Sequence, residues 1–213
     1  YLVGERTNWE KREEYRLRRL DDHGRWELRL PAEALAHGEL YRLRVHWPGG
    51  SGERIPAYAR RVVQDSRTLI FNAQVWDPPE PHRWRHDGFR LASAPLIYES
   101  HVGMAQERGG VGTYAEFREL VLPRIAAAGY NAVQLMAIAE HPDYGSFGYQ
   151  VANFFAASSR FGTPEEFKEL VDAAHALGLA VIMDLVHSHA APNAVEGLAR
   201  FDGTPYQYFH DGS

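Results

Sequence analysis

The stretch FGTPEEFKELVDAAHALGLAVIMDLVHSHA, residues 161–190, holds the pattern that decides the fold class. Thr163 is followed by a proline and then by Glu166, a combination that predicts a helix start with a threonine cap, proline at the first position and glutamate at the third. Apolar residues then recur at helical spacing on a face that should point inward: Phe167, Leu170, Val171 and Ala174. Gly178 ends the helix. Residues 179–186 are almost wholly apolar, which is typical of a parallel strand covered on both faces.

The same alternation of strand and helix begins after Pro95. Strands are predicted at residues 96–102 and 131–136. A helix is predicted between them at 113–128, with an inward face of Phe117, Leu120, Val121 and Ile125. A long polar and aromatic loop is predicted from Glu140 to about Arg160. This order predicts an α/β barrel or a doubly wound sheet. Because three strands alone leave an open, apolar sheet edge, the sequence indicates part of a larger domain.

The N-terminal residues have a different, all-β pattern. Apolar and polar residues alternate over 15–20, 26–30 and 40–47, with a turn at 21–24 and a loop at 48–52, so a small β-sandwich is predicted. A proline-rich run follows it and predicts a stiff connector, because proline fixes φ and lacks a donor. We therefore expect three parts: a β-sandwich at 1–76, a linker at 77–94, and an α/β part with three strand–helix units at 95–213.

Composition excludes several classes of function. With 23 Lys and Arg against 28 Asp and Glu among 213 residues, the formal net charge is −5. This balance favours neither nucleic acid nor an anionic membrane as a partner. There is no cysteine, which excludes disulfides, thiolate chemistry and zinc sites of the cysteine type and leads us to expect a cytoplasmic protein. No apolar run approaches the roughly 20 residues of a membrane span, and no signal peptide opens the chain. The sequence starts within a predicted strand and ends in a polar loop, so we expect a piece of a longer protein.

Two short motifs could carry chemistry. Gly148-Tyr149-Gln150 sets an aromatic ring beside a glycine and an amide, which suits stacking on a sugar. The run from Asp184 to His189, DLVHSH, ends a strand with one carboxylate and two imidazoles. Because the carboxyl ends of barrel strands form the site, both motifs are expected to line one wall of a pocket.

Each of these residues also has a plainer interpretation. Asp184 could be a helix cap or a buried carboxylate satisfied by backbone donors, and Tyr149 could be a packed loop aromatic. His187 and His189 would share one face of a strand and could bind a metal ion. No further group of ligands lies near them in sequence, so a metal site is not predicted. The five tryptophans are expected to serve packing rather than sugar binding.

In order along the chain, the motifs resemble the α-amylase superfamily of glycoside hydrolases and transglycosylases. Within it they are similar to the α-1,4-glucan (glycogen or starch) branching enzymes. The similar segments in the α/β part are IYESHVGM (97–104), YGSFGYQVANFF (144–155), GTPEEF (162–167), DAAH (172–175) and DLVHSH (184–189). Residues 3–9 and 54–58 resemble the β-sandwich carbohydrate-binding module of such enzymes. The resemblance covers essentially the whole chain. It implies that residues 95–213 are the first three strand–helix units of an incomplete (β/α)₈ TIM barrel.

The resemblance implies roles for individual residues. Tyr149 would stack on the sugar ring where the glycosidic bond is cut, with Gln150 beside it in the substrate site. His189 would donate a hydrogen bond to a hydroxyl of that sugar, and Asp184 would brace the floor of the site. Calcium-binding α-amylases typically carry an asparagine where this chain has Ser188, so neither calcium nor any other cofactor is expected.

The family's chemistry is a retaining transfer of an α-1,4-glucan chain to a 6-hydroxyl group of another chain, which makes an α-1,6 branch. In the family the nucleophile, the acid and a third carboxylate come from later barrel strands, so no catalytic residue is named within 1–213. The 213 residues alone are expected to be inactive. Two alternatives stay open: a debranching or trehalose-releasing hydrolase of the same superfamily, and a non-catalytic glucan-binding protein. The expected partner is an α-1,4-glucan polymer such as glycogen or amylose.

Overall fold

The computed structural model describes residues 1–188 and 190–206, and its N-terminal part is built on one antiparallel sheet. The five strands of this sheet are β1 (Leu2–Gly4), β4 (Leu40–Trp47), β5 (Gly50–Arg54), β6 (Val62–Gln64) and β7 (Phe71–Gln74). Strand β4 pairs with β1, β5 and β7, and β6 pairs with β7. A separate two-stranded ribbon joins β2 (Arg18–Arg19) to β3 (Trp26–Glu27).

The sequence predicted the longest of these strands correctly and its neighbours less well. Residues 40–47 form β4 as expected. Of the strands expected at 15–20 and 26–30, only the short exposed ribbon forms. The loop predicted at 48–52 is wrong, because Gly50 already pairs with Trp47 and begins β5. A turn of two residues, with Gly49 at φ 88°, makes this possible.

The second half of the chain holds a parallel sheet. Strands β8 (Ile97–Ser100), β9 (Ala132–Leu135) and β12 (Ala180–Met183) lie side by side in chain order. The connecting helices are α1 (Tyr114–Glu116), which continues through a π turn (Phe117–Val121) into α2 (Leu122–Ala127), and α3 (Pro164–Ala176). The hydrophobic core between helices and sheet includes Ile125, Val133, Leu135 and Leu170. Parallel neighbours in chain order are the pattern of a (β/α)₈-type barrel.

The first helix differs from its prediction on one face. Leu120 was expected inside but is 53% exposed, whereas Leu122 is fully buried. The π turn inserts one residue and rotates the chain that follows it. Pro123, which lacks an N–H and crowds the preceding turn of a regular helix, lies two residues after the end of the π turn and accounts for it.

Helix α3 begins as the sequence predicted. The Thr163 hydroxyl accepts a hydrogen bond from the Glu166 backbone N–H at 3.2 Å, and the Glu166 carboxylate accepts one from the Thr163 N–H at 2.7 Å. Leu170 and Ala174 are buried as expected, but so is the charged Asp172. The outer side of the helix is therefore covered as well as the inner side.

The cover on α3 is the segment predicted as a linker. Residues 77–94 contain neither helix nor strand, yet they are held firmly. Asp172 accepts hydrogen bonds from the backbone N–H of His86 at 2.9 Å and from the Arg85 Nε at 2.9 Å. The Phe89 ring stacks on the imidazole of His175, with centroids 4.5 Å apart. The linker is thus a strap across α3, although its boundaries stay a prediction.

The region predicted as a long loop, 140–160, contains a second ribbon. Strand β10 (Ala139–Glu140) pairs antiparallel with β11 (Asn153–Ala157). The ribbon rests against the N-terminal sheet, because the Asn153 side chain donates to the backbone carbonyls of Pro56 at 3.0 Å and Ala57 at 3.3 Å. The N-terminal sheet and the α/β part therefore share an interface.

The outer strands of the parallel sheet leave apolar side chains exposed. Four side chains on β8 and β12 are between 36% and 45% exposed: Ile97, Tyr98, Ile182 and Met183. Cover on both faces of the last strand was predicted and is not found among the described residues. Among residues 1–188 and 190–206, no helix has the length and apolar character to cross a membrane.

Candidate active site

The carboxyl ends of the three parallel strands are level with one another. Ser100, Leu135 and Met183 end their strands in the same register row. The hydrogen bonds continue one residue further: Met136 N–H donates to the Ser100 carbonyl at 3.0 Å, and Asp184 N–H donates to the Leu135 carbonyl at 3.1 Å. Asp184 therefore stands at the rim of the sheet, where the sequence predicted it, and it is half-buried.

Tyr149 and Gln150 are presented by a tight turn next to this rim. The turn is stabilised by Asp143, whose carboxylate accepts the Gly145 N–H at 2.9 Å, and the Tyr149 N–H donates to the Ser146 carbonyl at 3.0 Å. Gly148 has φ 92°. A Cβ there would lie 2.0 Å from the Ala137 carbonyl oxygen, so only glycine fits. Both Tyr149, 37% exposed, and Gln150 are left accessible.

The backbone brings the two predicted motifs together. Val151, directly after Gln150, forms a parallel bridge with Ala190, and the Ala191 N–H donates to the Val151 carbonyl at 2.8 Å. Val151 is also buried in a small cluster with Val186, Ala137 and Ala139. The segment after Tyr149 and the segment after Asp184 are therefore adjacent at one edge of the sheet.

The histidine pair of the second motif is only partly described. His187 is exposed, and its ring lies 5.2 Å from that of Phe154. His189, predicted to contact the sugar, lies outside the described residues. Within 1–188 and 190–206, no group of three or more His, Cys, Asp or Glu side chains could hold a metal ion. The role of His189 stays a prediction.

Two buried polar residues support the site and were not nominated from the sequence. His101, directly after β8, is 7% exposed, and its ring packs edge-on against Phe147 at 5.9 Å and Tyr144 at 6.0 Å. Burial lowers the pKa of this imidazole, which favours the neutral ring. Its place at a strand end was a usable signal. It was missed because a single histidine inside a strand pattern is usually a packing residue.

Glu140 is the second such residue, and it is fully buried. Its carboxylate accepts the Ser159 N–H at 2.7 Å and the His141 N–H at 3.1 Å. Burial raises the pKa of Glu140, while these hydrogen bonds oppose the rise. The contacts tie the start of the ribbon to its end, so Glu140 supports the turn that carries Tyr149. A glutamate in a polar loop gave no sequence signal of burial.

The groups at the rim of the sheet are suited to binding a sugar, but they are not sufficient to cleave a glycosidic bond. The rim offers an accessible aromatic ring, an amide and a carboxylate, held by a rigid backbone. A retaining glycosidase needs two carboxyl groups about 5–5.5 Å apart, and no such pair was predicted in the chain. The groups at this rim therefore have the chemical character of a sugar-binding surface.

Comparisons with known proteins agree with this geometry. The family model described as "Alpha amylase, catalytic domain" matches residues 121–202. The chain is 47% identical over 99% of its length to 1,4-alpha-glucan-branching enzyme 2-2, chloroplastic/amyloplastic, of Arabidopsis thaliana, of which it covers 27%. It is 44% identical over 99% of its length to the 1,4-alpha-glucan-branching enzyme of Rhizophagus irregularis, of which it covers 32%. The chain thus spans 27% to 32% of the length of these relatives.

Solved structures agree on the fold. A pullulanase from Bacillus acidopullulyticus superposes with a TM-score of 0.71 over 92% of this chain and 27% of its own, at 19% sequence identity. At that identity the likeness concerns the fold alone, and it supports a barrel-type α/β domain. The resemblance predicted from the motifs is confirmed by these matches.

Proposed function

Because this chain belongs to the α-amylase superfamily, among the glucan branching enzymes, we propose that its whole protein transfers α-1,4-glucan chains. The donor bond is cleaved with retention, and the chain passes to a 6-hydroxyl group, which makes an α-1,6 branch. The observation that carries the proposal is the identity of 47% to a branching enzyme, which runs through 99% of the chain and includes both site motifs.

Within that protein, this part of the chain forms the wall that holds the donor sugar. Tyr149 stacks on the ring at the cleaved bond, Gln150 and Asp184 lie beside it, and His189 donates to a sugar hydroxyl. The nucleophile and the acid come from parts of the protein outside residues 1–213. The adjacency of the two motifs across the Val151–Ala190 bridge supports this assignment.

The finer architecture is also part of the proposal. Residues 1–76 are a β-sandwich of the carbohydrate-binding type, 77–94 connect it, and 95–213 give the first three strand–helix units of a (β/α)₈ barrel. The five-stranded sheet supports an all-β N-terminal part, and the order of β8, β9 and β12 supports the barrel. An α-1,4-glucan such as glycogen or amylose is the partner, and the cytoplasm is the proposed location.

Tyr149→Ala in the full-length protein is expected to lower kcat/KM for branching about 100-fold. The alanine removes the aromatic face that orients the sugar, and misplacement at a reacting centre costs rate on this scale. Tyr149→Phe is the control, because it keeps the face and loses only the hydroxyl, and it should stay within a few-fold of the wild type. Steady-state kinetics on amylose measure both. Equal losses in the two variants would contradict a stacking role.

The function itself is tested with the full-length protein and amylose. If the protein branches amylose, the absorbance of the amylose–iodine complex should fall. The product should show new α-1,6 anomeric proton signals in NMR and few new reducing ends. A hydrolase of the same superfamily would instead release reducing ends in proportion to bond cleavage. Binding to amylose with no change in product would support the glucan-binding alternative and exclude the proposal.

A further inference from the structure

The segment after the second motif, residues 190–206, connects the rim of the parallel sheet to the N-terminal sheet. On the rim side it is fixed by the bridge between Val151 and Ala190. It then folds tightly on itself: a Cβ at Gly197 would lie 1.9 Å from the Ala191 carbonyl oxygen. We call residues 190–206 the rim loop.

On the other side, two arginines of the N-terminal sheet bind the backbone of the rim loop. Arg42 on β4 donates from Nη2 to the carbonyl of Val195. Arg54 on β5 donates from Nε to the carbonyls of Arg200 at 3.1 Å and Phe201 at 3.2 Å. These contacts join residues about 150 positions apart, so they are set by the tertiary fold.

An aromatic contact completes the interface. The Arg54 guanidinium lies over the Trp47 ring, 5.0 Å from its centroid. Gly203 of the rim loop packs on the same indole, where a Cβ would come within 2.3 Å of it. Gly203 also has φ 85°, a conformation that glycine adopts without strain. The rim loop is therefore shaped to fit the N-terminal sheet.

Burying these two arginines costs folding free energy, so stability alone does not account for their presence. Arg42 is 3% exposed and Arg54 is 6% exposed. Burial lowers the pKa of both guanidinium groups, with acidic side chains only partly offsetting it. Apolar residues of similar volume commonly serve stability as well as or better than a buried charge. What a guanidinium adds is directional donors that fix the position of a backbone.

We propose that Arg42 and Arg54 are positioning residues for glucan transfer, which act by fixing the rim loop against the N-terminal sheet. The rim loop in turn holds the segments that carry Asp184 and Gln150 at one edge. The N-terminal sheet is then a structural part of the active site and not only an attached module. This inference rests on the proposed function for its catalytic consequence.

The test uses Arg42→Met and Arg54→Met in the full-length protein, singly and together. Methionine keeps much of the side-chain length and removes the donors. Arg44→Met is the matched control, because Arg44 lies on the same strand and its guanidinium pairs with Glu53 in a partly exposed ion pair. Kinetics on amylose and hydrogen exchange of residues 190–206 are measured at a temperature where each variant is folded.

We expect kcat/KM to fall about 10- to 100-fold in the Arg42 and Arg54 variants, mainly through kcat, as for other displacements near reacting groups. Exchange in the rim loop should accelerate while β4 and β7 stay protected, and Arg44→Met should resemble the wild type. Arg54→Lys, which keeps one donor group, should recover part of the activity, and it serves as the test if the methionine variants do not fold.

Two results would overturn the inference. One is an unchanged exchange rate in the rim loop. The other is a lower melting temperature with wild-type kcat and KM per folded molecule, which would assign the arginines to stability alone. Absence of branching by the wild type would refute the proposed function instead, and the exchange experiment would still report on the rim loop.

Discussion

Gly148→Ala in the full-length protein is expected to lower the rate of glucan transfer about 100-fold, on the scale of other misplaced catalytic contacts. The new Cβ would lie 2.0 Å from the Ala137 carbonyl oxygen, a backbone atom that cannot move aside cheaply. The φ of 92° is also strained for any L-residue with a side chain. The turn must shift, and Tyr149, the next residue, shifts with it. Initial rates of branching on amylose measure the effect.

Gly145→Ala is the matched control for this prediction. It lies in the same turn, but its Cβ would meet only the exposed Asp143 carboxylate, at 3.2 Å. We expect activity within a few-fold of the wild type. If both glycine variants kept wild-type rates, the position of Tyr149 would not matter for transfer, and the proposed site would be wrong.

Asp172→Ala is expected to cause the largest loss of stability. The carboxylate is fully buried and binds the strap through the backbone N–H groups of Arg85 and His86 and through the Arg85 side chain. Its removal leaves the strap donors in these part-buried hydrogen bonds without their acceptor, which costs about 1–3 kcal/mol of unfolding free energy. Calorimetry measures the loss, and limited proteolysis within 77–94 should report a detached strap.

The same carboxylate predicts a dependence of stability on pH. Burial raises the pKa of Asp172, but the hydrogen bonds from Arg85 and His86 outweigh it and hold the pKa well below its ordinary value of 3.8. The folded state then binds fewer protons than the unfolded state near that pH. The contribution of Asp172 is complete above pH 4 and is lost as the pH falls below it.

The control for both Asp172 experiments is Glu169→Gln, one turn earlier on the same helix. Glu169 forms an ion pair with Arg118 at the surface, where such pairs contribute little. The melting temperature of the Glu169→Gln variant should be close to that of the wild type at every pH. If Asp172→Ala lowered the stability equally at pH 3 and pH 7, the ionised Asp172 carboxylate would not be what holds the strap, and the prediction would be contradicted.

The parts of the fold with local signals were predictable. The cap of α3 needs only Thr163 and Glu166, and the alternation of apolar and polar residues is enough to predict β4. The failures depend on distant partners. Gly50 is a strand residue because β4 is there to pair with it, and Leu120 is exposed because a π turn before Pro123 rotates the helix. Neither consequence is visible in a short window of sequence.

The candidate site shows the same division. The rim position of Asp184 and the glycine before Tyr149 follow from strand and turn patterns. Asp172 was quoted only as part of a similar motif, and its burial depends on a segment 86 residues away in sequence. Arg42 was missed because alternation in β4 assigns its arginines to the solvent face, and Arg54 because no strand was predicted at 50–54. Buried charges with distant backbone partners leave no local pattern.

The rim loop also has a consequence for mutational tolerance. Arg42 and Arg54 bind carbonyl oxygens, which every amino acid possesses, and they do not depend on the side chains of Val195 or Arg200. Substitutions at those two positions can accumulate without breaking the interface, provided the backbone path is kept. A designer could therefore vary the outer surface of this loop while the N-terminal sheet stays unchanged, with Gly197 and Gly203 as the fixed points.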